Sequence, residues 1–169
     1  MTGAIAWITG LPSAGKSTFA RRLRDRLLAA GRPAVVLDGD AVRAALVPPP
    51  GYDDLARAAF HETLGNLALA LAQDGAGVAV IVAATAHRRA FRDRVRARAS
   101  RFVEVLVDVP AEVCAQRDPK GLWARARAGE APALPGAGVA YERPPSPEVV
   151  AAGGEDALAI EAAAALLLS

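Results

Sequence analysis

The chain is poor in sulfur, in aromatic rings and in one of the two common cations. Its 169 residues include one cysteine (Cys114), one methionine and only 5% aromatics. A single cysteine excludes an intrachain disulfide framework and fits a reducing, cytoplasmic setting. The two histidines, His61 and His87, have no Cys or His neighbours at metal-ligand spacing, so no zinc site is expected. Long apolar runs are missing too. The longest largely apolar stretches, Val78–Ala86 and Ala157–Leu168, fall short of the roughly 18 residues that span a bilayer, so no membrane association is expected. The opening residues Met1-Thr2-Gly3-Ala4 carry no basic region of the kind that begins a secretory signal. A formal charge of +2 is too small for nucleic-acid binding, although the isoelectric point lies near 9.1.

What is present is apolar and arginine-rich. Hydrophobic residues make up 53% and charged residues 22%, with a mean hydropathy of +0.22, so the chain is globular rather than disordered. Its length fits one domain of roughly 100–200 residues. Of 20 basic side chains only Lys16 and Lys120 are lysine, which leaves 18 arginines. Where composition drifts toward arginine, two surviving lysines suggest positions that need a compact ammonium.

Strand-like and helical segments alternate. Ala4–Thr9 reads as a buried strand ending at glycine, and Ser17–Ala30 as an amphipathic helix closed by Gly31. Ala34–Leu37 is a second strand, running into Asp38-Gly39-Asp40. Asp53–Asp74 has helical spacing through Leu55, Ala59, Leu64, Leu67 and Leu71, and stops at Gly75. Val78–Ala84 is a third, central strand, Arg88–Ala99 a polar helix, and Phe102–Val109 a fourth strand. Pro110 opens a further helix that carries Cys114. Between Asp118 and Pro147 proline, glycine and charge dominate and no apolar period persists, so residues 118–147 read as a mobile lid. Strand-like Glu148–Ala151 and helical Glu155–Leu168 resume beyond it, the stripe Ala162–Leu168 as core. The expectation is an α/β fold with a parallel β-sheet flanked by helices, one domain over 1–169 with a lid.

Gly10-Leu11-Pro12-Ser13-Ala14-Gly15-Lys16-Ser17, followed by Thr18, matches G-x-x-x-x-G-K-[ST] between a strand and a helix. Its amide groups and the helix N-terminus cradle phosphates, Lys16 reaches the β- and γ-phosphates, and the Ser17 hydroxyl ligates Mg²⁺. ATP and Mg²⁺ are the implied cofactors. A GTPase needs an Asn-Lys-x-Asp motif, and the sole asparagine, Asn66, has no lysine after it. A motor-type ATPase needs a carboxylate at the end of a hydrophobic strand, but Val78–Ala84 runs into Thr85. The carboxylates Asp38 and Asp40 instead end the second strand, an arrangement suited to small P-loop kinases. There Asp40 meets an acceptor hydroxyl, caps a helix beginning Ala41-Val42-Arg43, or does both.

At this point the chain resembles the adenylylsulfate (APS) kinase family, whose members phosphorylate the 3′-hydroxyl of adenosine 5′-phosphosulfate with ATP. The family's Leu-Asp-Gly-Asp-x-Val-Arg reads here as Leu37 to Arg43, and its Gly-Phe with an Arg five residues on reads as Gly51-Tyr52 and Arg57. Its Glu-Val-Cys-x-x-Arg-Asp-Pro-Lys-Gly-Leu-aromatic block is Glu112 to Trp123, its Ala-Arg-Ala-Gly-Glu is Ala126 to Glu130, and its Tyr-Glu-x-Pro is Tyr141 to Pro144. The acceptor side departs from the pattern. Phe60 stands for an asparagine, Ala84-Thr85-Ala86-His87-Arg88 replaces Ile-Ser-Pro-x-Arg, and Leu134-Pro135-Gly136-Ala137-Gly138 replaces Phe-Thr-Gly-Ile-Asp. The serine that some members phosphorylate is therefore absent.

The resemblance implies ATP and APS as small-molecule partners and PAPS as product, and it leaves a homodimer open. It implies catalytic roles for Lys16, Asp40 and Lys120, and Arg117 near the ATP adenine. Around the acceptor it implies Asp40, Arg43, Tyr52, Arg57, Phe60, Ala84, Thr85, Lys120 and Leu134, with Tyr52 stacking on the adenine and Leu134 offering apolar contact only. Arg43 and Arg57 suit a phosphosulfate because guanidinium binds oxyanions bidentately; the other reading makes them surface arginines. Arg88-Arg89-x-x-Arg92 reads as a solvated helix face, and Cys114 as a small packed apolar group. The alternative function is a related P-loop kinase acting on another nucleotide or nucleotide-linked hydroxyl.

Overall fold

The computed structural model describes residues 3–74, 76–131 and 133–169. Five strands, β1 (Ala4–Thr9), β2 (Ala34–Asp38), β3 (Ala79–Ala83), β4 (Phe102–Val107) and β5 (Val149–Ala151), form one sheet in the order β2-β3-β1-β4-β5. Every pairing is parallel, with Ala4 opposite Ala79, Ile5 opposite Phe102, Ala34 opposite Ala79 and Val105 opposite Val149. Such a sheet is covered on both faces, which is why β1 and β3 read as unbroken apolar runs.

Among the described residues there are seven helices, α1 (Lys16–Ala29), α2 (Gly39–Ala45), α3 (Asp54–Gln73), α4 (Arg89–Arg96), α5 (Ala111–Arg117), α6 (Leu122–Arg127) and α7 (Ala157–Leu168). Alternation along β1 divides the core. Ala4, Ala6 and Ile8 join Phe19, Leu23, Leu27, Ala163, Ala164 and Leu167 beneath α1 and α7. Ile5 and Trp7 join Phe60, Leu64, Leu69, Phe91 and Val95 beneath α3 and α4. Cys114 is buried in the first cluster, as read. No described helix is long and apolar enough to cross a membrane.

Four readings are corrected. The buried face of α3 is Arg57, Phe60, His61, Leu64, Gly65, Ala68 and Leu69, whereas Leu55, Ala59, Leu67 and Leu71 are exposed. Counting leucines selected a stripe rotated away from the face that the tertiary contacts chose, and only Leu64 belongs to both. The cap of α2 is Asp38, whose carboxylate accepts from the Asp40 amide at 3.0 Å, so the Asp40 carboxylate is not used as the cap. Arg88 and Arg89 are solvated, but Arg92 is fully buried. Finally, residues 118–147 contain the short helix α6, whose N-cap is Gly121 and whose first-turn amides Trp123 N and Ala124 N donate to the Asp118 carboxylate at 3.1 and 2.9 Å. Gly75, read as the stop after α3, and the residues Met1 and Thr2 lie outside the described residues.

The strand order reverses at β1, with β3 on one side and β4 on the other. In an open parallel sheet a ligand crevice forms outside the carboxyl ends of the strands at that point. The loops after Thr9, Asp38, Ala83 and Val107 are therefore where chemistry is expected.

Candidate active site

Between β1 and α1 the chain turns through Gly10 at φ 151°, Ser13 at φ 68° and Gly15 at φ 103°. Two of these positions need glycine. A Cβ on Gly10 would lie 2.6 Å from the Val107 carbonyl oxygen, and one on Gly15 would lie 2.9 Å from Gly154 N. Gly15 is the N-cap of α1 and has no side chain to spend on the first amides, so they face the crevice free for an anion. Lys16 Nζ donates to the Gly10 and Leu11 carbonyls at 3.1 and 2.7 Å, folded over the loop it serves. Burial pushes its ammonium down to about 8, against the pull of the Asp40 carboxylate.

Ser17 Oγ donates to Asp38 Oδ2 at 2.5 Å. This joins the P-loop hydroxyl to the carboxylate at the end of β2, two oxygen donors of the kind that hard divalent cations take. No cluster of three or more His, Cys, Asp or Glu side chains able to hold a metal occurs among the described residues. The donor set fits a Mg²⁺ that takes its remaining ligands from phosphate and water.

Asp40 projects from the first turn of α2 and pairs with Lys120 across 80 residues of sequence. That hydrogen bond raises the Lys120 pKa, keeping it cationic. Both side chains are mostly exposed to the crevice, 69% and 58%, so the contact is accessible to an incoming substrate. The P-loop cation, the serine–aspartate pair and this ion pair lie along the same strand ends.

Beside them two buried arginines pack with Tyr52 and Phe60. Arg43 is 9% exposed and Arg57 8%, which rules out the surface-arginine reading for both. The Arg43 guanidinium lies 4.0 Å from the centroid of Phe60 and 4.5 Å from that of Tyr52, and its Nη1 donates to the carbonyls of Pro50 and Gly51 at 3.1 and 2.8 Å. Arg57 lies 5.9 Å from the Tyr52 ring. Burial lowers the pKa of both arginines, which nevertheless remain charged at neutral pH. Tyr52 is 63% exposed and can present ring surface to a ligand, whereas Phe60 is 3% exposed and acts on Arg43 from beneath. Leu134 is buried in the apolar cluster of the α1 and α7 face, together with Trp123, and Leu11 packs against that cluster. Ala84 is buried and Thr85 half-buried at the exit of β3.

A second cleft, about 690 Å³, opens beside the P-loop and is lined by Ser13, Gly15, Thr18, Arg117, Pro119 and the loop 152–156. Arg117 and Thr18 were expected near a nucleotide; the wall made by Ala152, Gly153 and Gly154 was not. The signal in hindsight is the Gly-Gly pair, since a Cβ on Gly154 would lie 2.6 Å from the Gly15 carbonyl oxygen. Residues 118–147 are anchored to the same region. Trp123 Nε1 donates to the Pro12 carbonyl at 3.0 Å, and Arg143 pairs with Asp108 through two 2.7 Å contacts.

A crevice with a phosphate cradle, an acidic acceptor-side group and buried cations is the outline of a phosphotransferase. A family profile, Adenylylsulphate kinase, matches residues 2–152. The chain belongs to that family. It is 44% identical over 147 residues to an adenylyl-sulfate kinase of Aeromonas hydrophila, spanning 86% of this chain and 74% of the relative. It is 42% identical to one of Picosynechococcus, spanning 87% and 82%. Among solved structures it resembles an APS kinase of Mycobacterium tuberculosis in complex with AMPPNP and APS, with a TM-score of 0.87, 36% identity and 99% of each chain covered. A Sinorhizobium meliloti gluconokinase, 22% identical with a TM-score of 0.61, shares the fold alone. For an adenylylsulphate kinase family member, Phe60 and Leu134 are departures from the pattern, whereas Gly10–Ser17 keeps it.

Proposed function

We propose that the chain transfers the γ-phosphoryl group of ATP to the 3′-hydroxyl of APS, giving PAPS and ADP. The observation that carries this reading is the Asp40–Lys120 pair, whose Asp40 carboxylate acts on both the Lys16 ammonium and the buried Arg43. ATP places its phosphates on the amides of Gly10–Ser17 and its nucleoside in the cleft lined by Thr18, Arg117 and 152–156. Ser17 and Asp38 would hold Mg²⁺, which would supply neutralisation of the phosphate charge. Lys16 exchanges its two carbonyl partners for phosphate oxygens.

The 3′-hydroxyl displaces Lys120 from Asp40. Asp40 orients that hydroxyl and takes its proton as the new O–P bond forms and the bond to the ADP oxygen breaks. Lys120, released, stays beside the transferring phosphoryl group and stabilises its charge. Arg43 and Arg57 hold the phosphosulfate, and the exposed Tyr52 ring stacks on the adenine. The lid 118–147 closes over both nucleotides and keeps water out of the transfer. A cytoplasmic setting belongs to this reading, supported by the single free Cys114 and the need for ATP.

Coupled ADP release across APS, AMP, gluconate and shikimate tests the assignment. A kcat/KM for APS exceeding that of AMP by ~10²-fold or more is expected, because a pocket built to pair with the sulfate rejects an analogue that lacks it. Equal or better turnover on another hydroxyl overturns the choice of acceptor.

A further inference from the structure

Arg92 was read as part of a solvated helix face, yet it has no exposed surface and three bonded partners. Its Nε donates to Glu104 Oε1 at 2.7 Å, its Nη1 to the Ala86 carbonyl, and its Nη2 to the Glu142 carbonyl at 2.7 Å. The partners belong to three parts of the chain. Glu104 lies in the middle of β4, buried, and is held in turn by Arg96 Nη2 at 3.1 Å. Ala86 belongs to the loop leaving β3, and Glu142 to the segment by which the lid returns to the sheet.

Ala86 has φ +42°, a left-handed conformation that is unfavourable for alanine and persists only where its surroundings over-determine it. Here they do. Thr9 Oγ1 donates to the Thr85 carbonyl at 2.7 Å, Arg92 to the Ala86 carbonyl, and the Glu142 amide to the His87 carbonyl at 2.8 Å. Three successive carbonyls are thus tied inward. Tyr141 adds a hydroxyl contact of 2.9 Å to Thr9 Oγ1, with its ring 5.9 Å from the Arg92 guanidinium, and Glu142 Oε2 accepts from the Arg89 amide at 2.7 Å.

We propose that Arg92 is a positioning residue that locks the acceptor-side loop 84–88 to the lid's return segment 141–142, so that the acceptor pocket and the lid are set by one buried guanidinium. The inference rests on the proposed acceptor site. Glu104 fixes the charge and direction of the guanidinium; only the planar fork of arginine reaches both carbonyls and the carboxylate together, so lysine is not equivalent. Arg92 touches neither reactant in this account. It acts through the backbone of Thr85, Ala86 and His87.

Three variants test it. R92K keeps the charge against Glu104 and loses the fork. R92M/E104Q removes both charges together, so that no buried charge is orphaned if R92K fails to fold. R96M takes one cation from the same carboxylate without touching either carbonyl. Hydrogen exchange and steady-state kinetics are measured on each.

In R92K and R92M/E104Q we expect faster exchange at the amides of 84–88 and 141–142. We also expect an APS KM raised roughly ten- to hundredfold, the scale for reactant groups misplaced by about an ångström, with the ATP KM unchanged. R96M lowers the melting temperature and leaves both readouts at wild-type values. Unchanged exchange in those segments overturns the coupling whatever the acceptor is. Faster exchange with an unchanged APS KM, or APS and ATP KM rising equally, overturns the positioning role while the assignment of APS, read from the wild-type enzyme, stands.

Discussion

The Arg43 guanidinium lies over the Phe60 ring, 4.0 Å from its centroid, and this contact stands where the family's pattern has an asparagine. An amide side chain is replaced by a π face. The guanidinium stays fixed by two carbonyls on its edge and two rings on its faces, with its burial near complete.

Phe60→Leu removes the π face and keeps most of the volume, so the fold loses less than about 1.5 kcal/mol. A desolvated cation–π contact is worth ~0.5–2 kcal/mol, which corresponds to a rise of roughly 2- to 30-fold in the APS KM. Isothermal titration of APS against the variant checks this, with ATP binding as the control; APS affinity within twofold of wild type refutes a role for Phe60 in holding Arg43.

Asp38→Asn keeps the cap on α2, since asparagine caps as well as aspartate, and removes the charge beside Ser17. The Mg²⁺ concentration for half-maximal rate should rise by ~10–100-fold, as for loss of a group that orients a metal ligand. A Mg²⁺ titration of initial rate at saturating ATP and APS measures it. An unshifted midpoint separates Asp38 from the metal.

The Lys16 ammonium, held down to about 8 by burial, sets a pH dependence. A lowered lysine pKa means the cation is present below about 8 and lost above it, so kcat/KM for ATP should fall on the alkaline side with a midpoint near 8. Once phosphate is bound it stabilises the cation, and the kcat limb moves to higher pH. Lys16→Ala should cut kcat by roughly 10²–10³-fold and erase the limb. An alkaline limb that persists in the variant assigns it to another group.

Tyr52→Ala should raise the APS KM roughly 5- to 150-fold, from ~1–3 kcal/mol of lost stacking. The ring is 63% exposed, so the melting temperature should hardly move. ATP affinity without APS should also be unchanged. An APS KM that does not respond would place the adenine elsewhere.

The phosphate half of the site was legible because its chemistry is local. Gly10 to Ser17 lie on one turn whose glycines and helix start are fixed by spacing alone, and Asp38 and Asp40 sit one strand length from the next turn. What the sequence could not reveal depends on partners far along the chain. Arg92 looks solvated in a run of arginines until Glu104, Ala86 and Glu142 surround it. The nucleoside wall 152–156 reaches Gly15 only through the placement of β5 next to β4. On α3 the exposed leucines misled because the buried face is built from Arg57, Phe60 and His61, two of which are polar residues that count against a core. The alternation of strands and helices, by contrast, determined the parallel sheet directly, since each run needed cover on both faces.

The most direct test of the account is the product itself. ³¹P NMR of wild-type enzyme with ATP, Mg²⁺ and APS should show a 3′-phosphomonoester appearing on the intact adenosine 5′-phosphosulfate, one for each ADP formed. ADP accumulating without a new phosphomonoester, or a phosphomonoester at another hydroxyl, would contradict it.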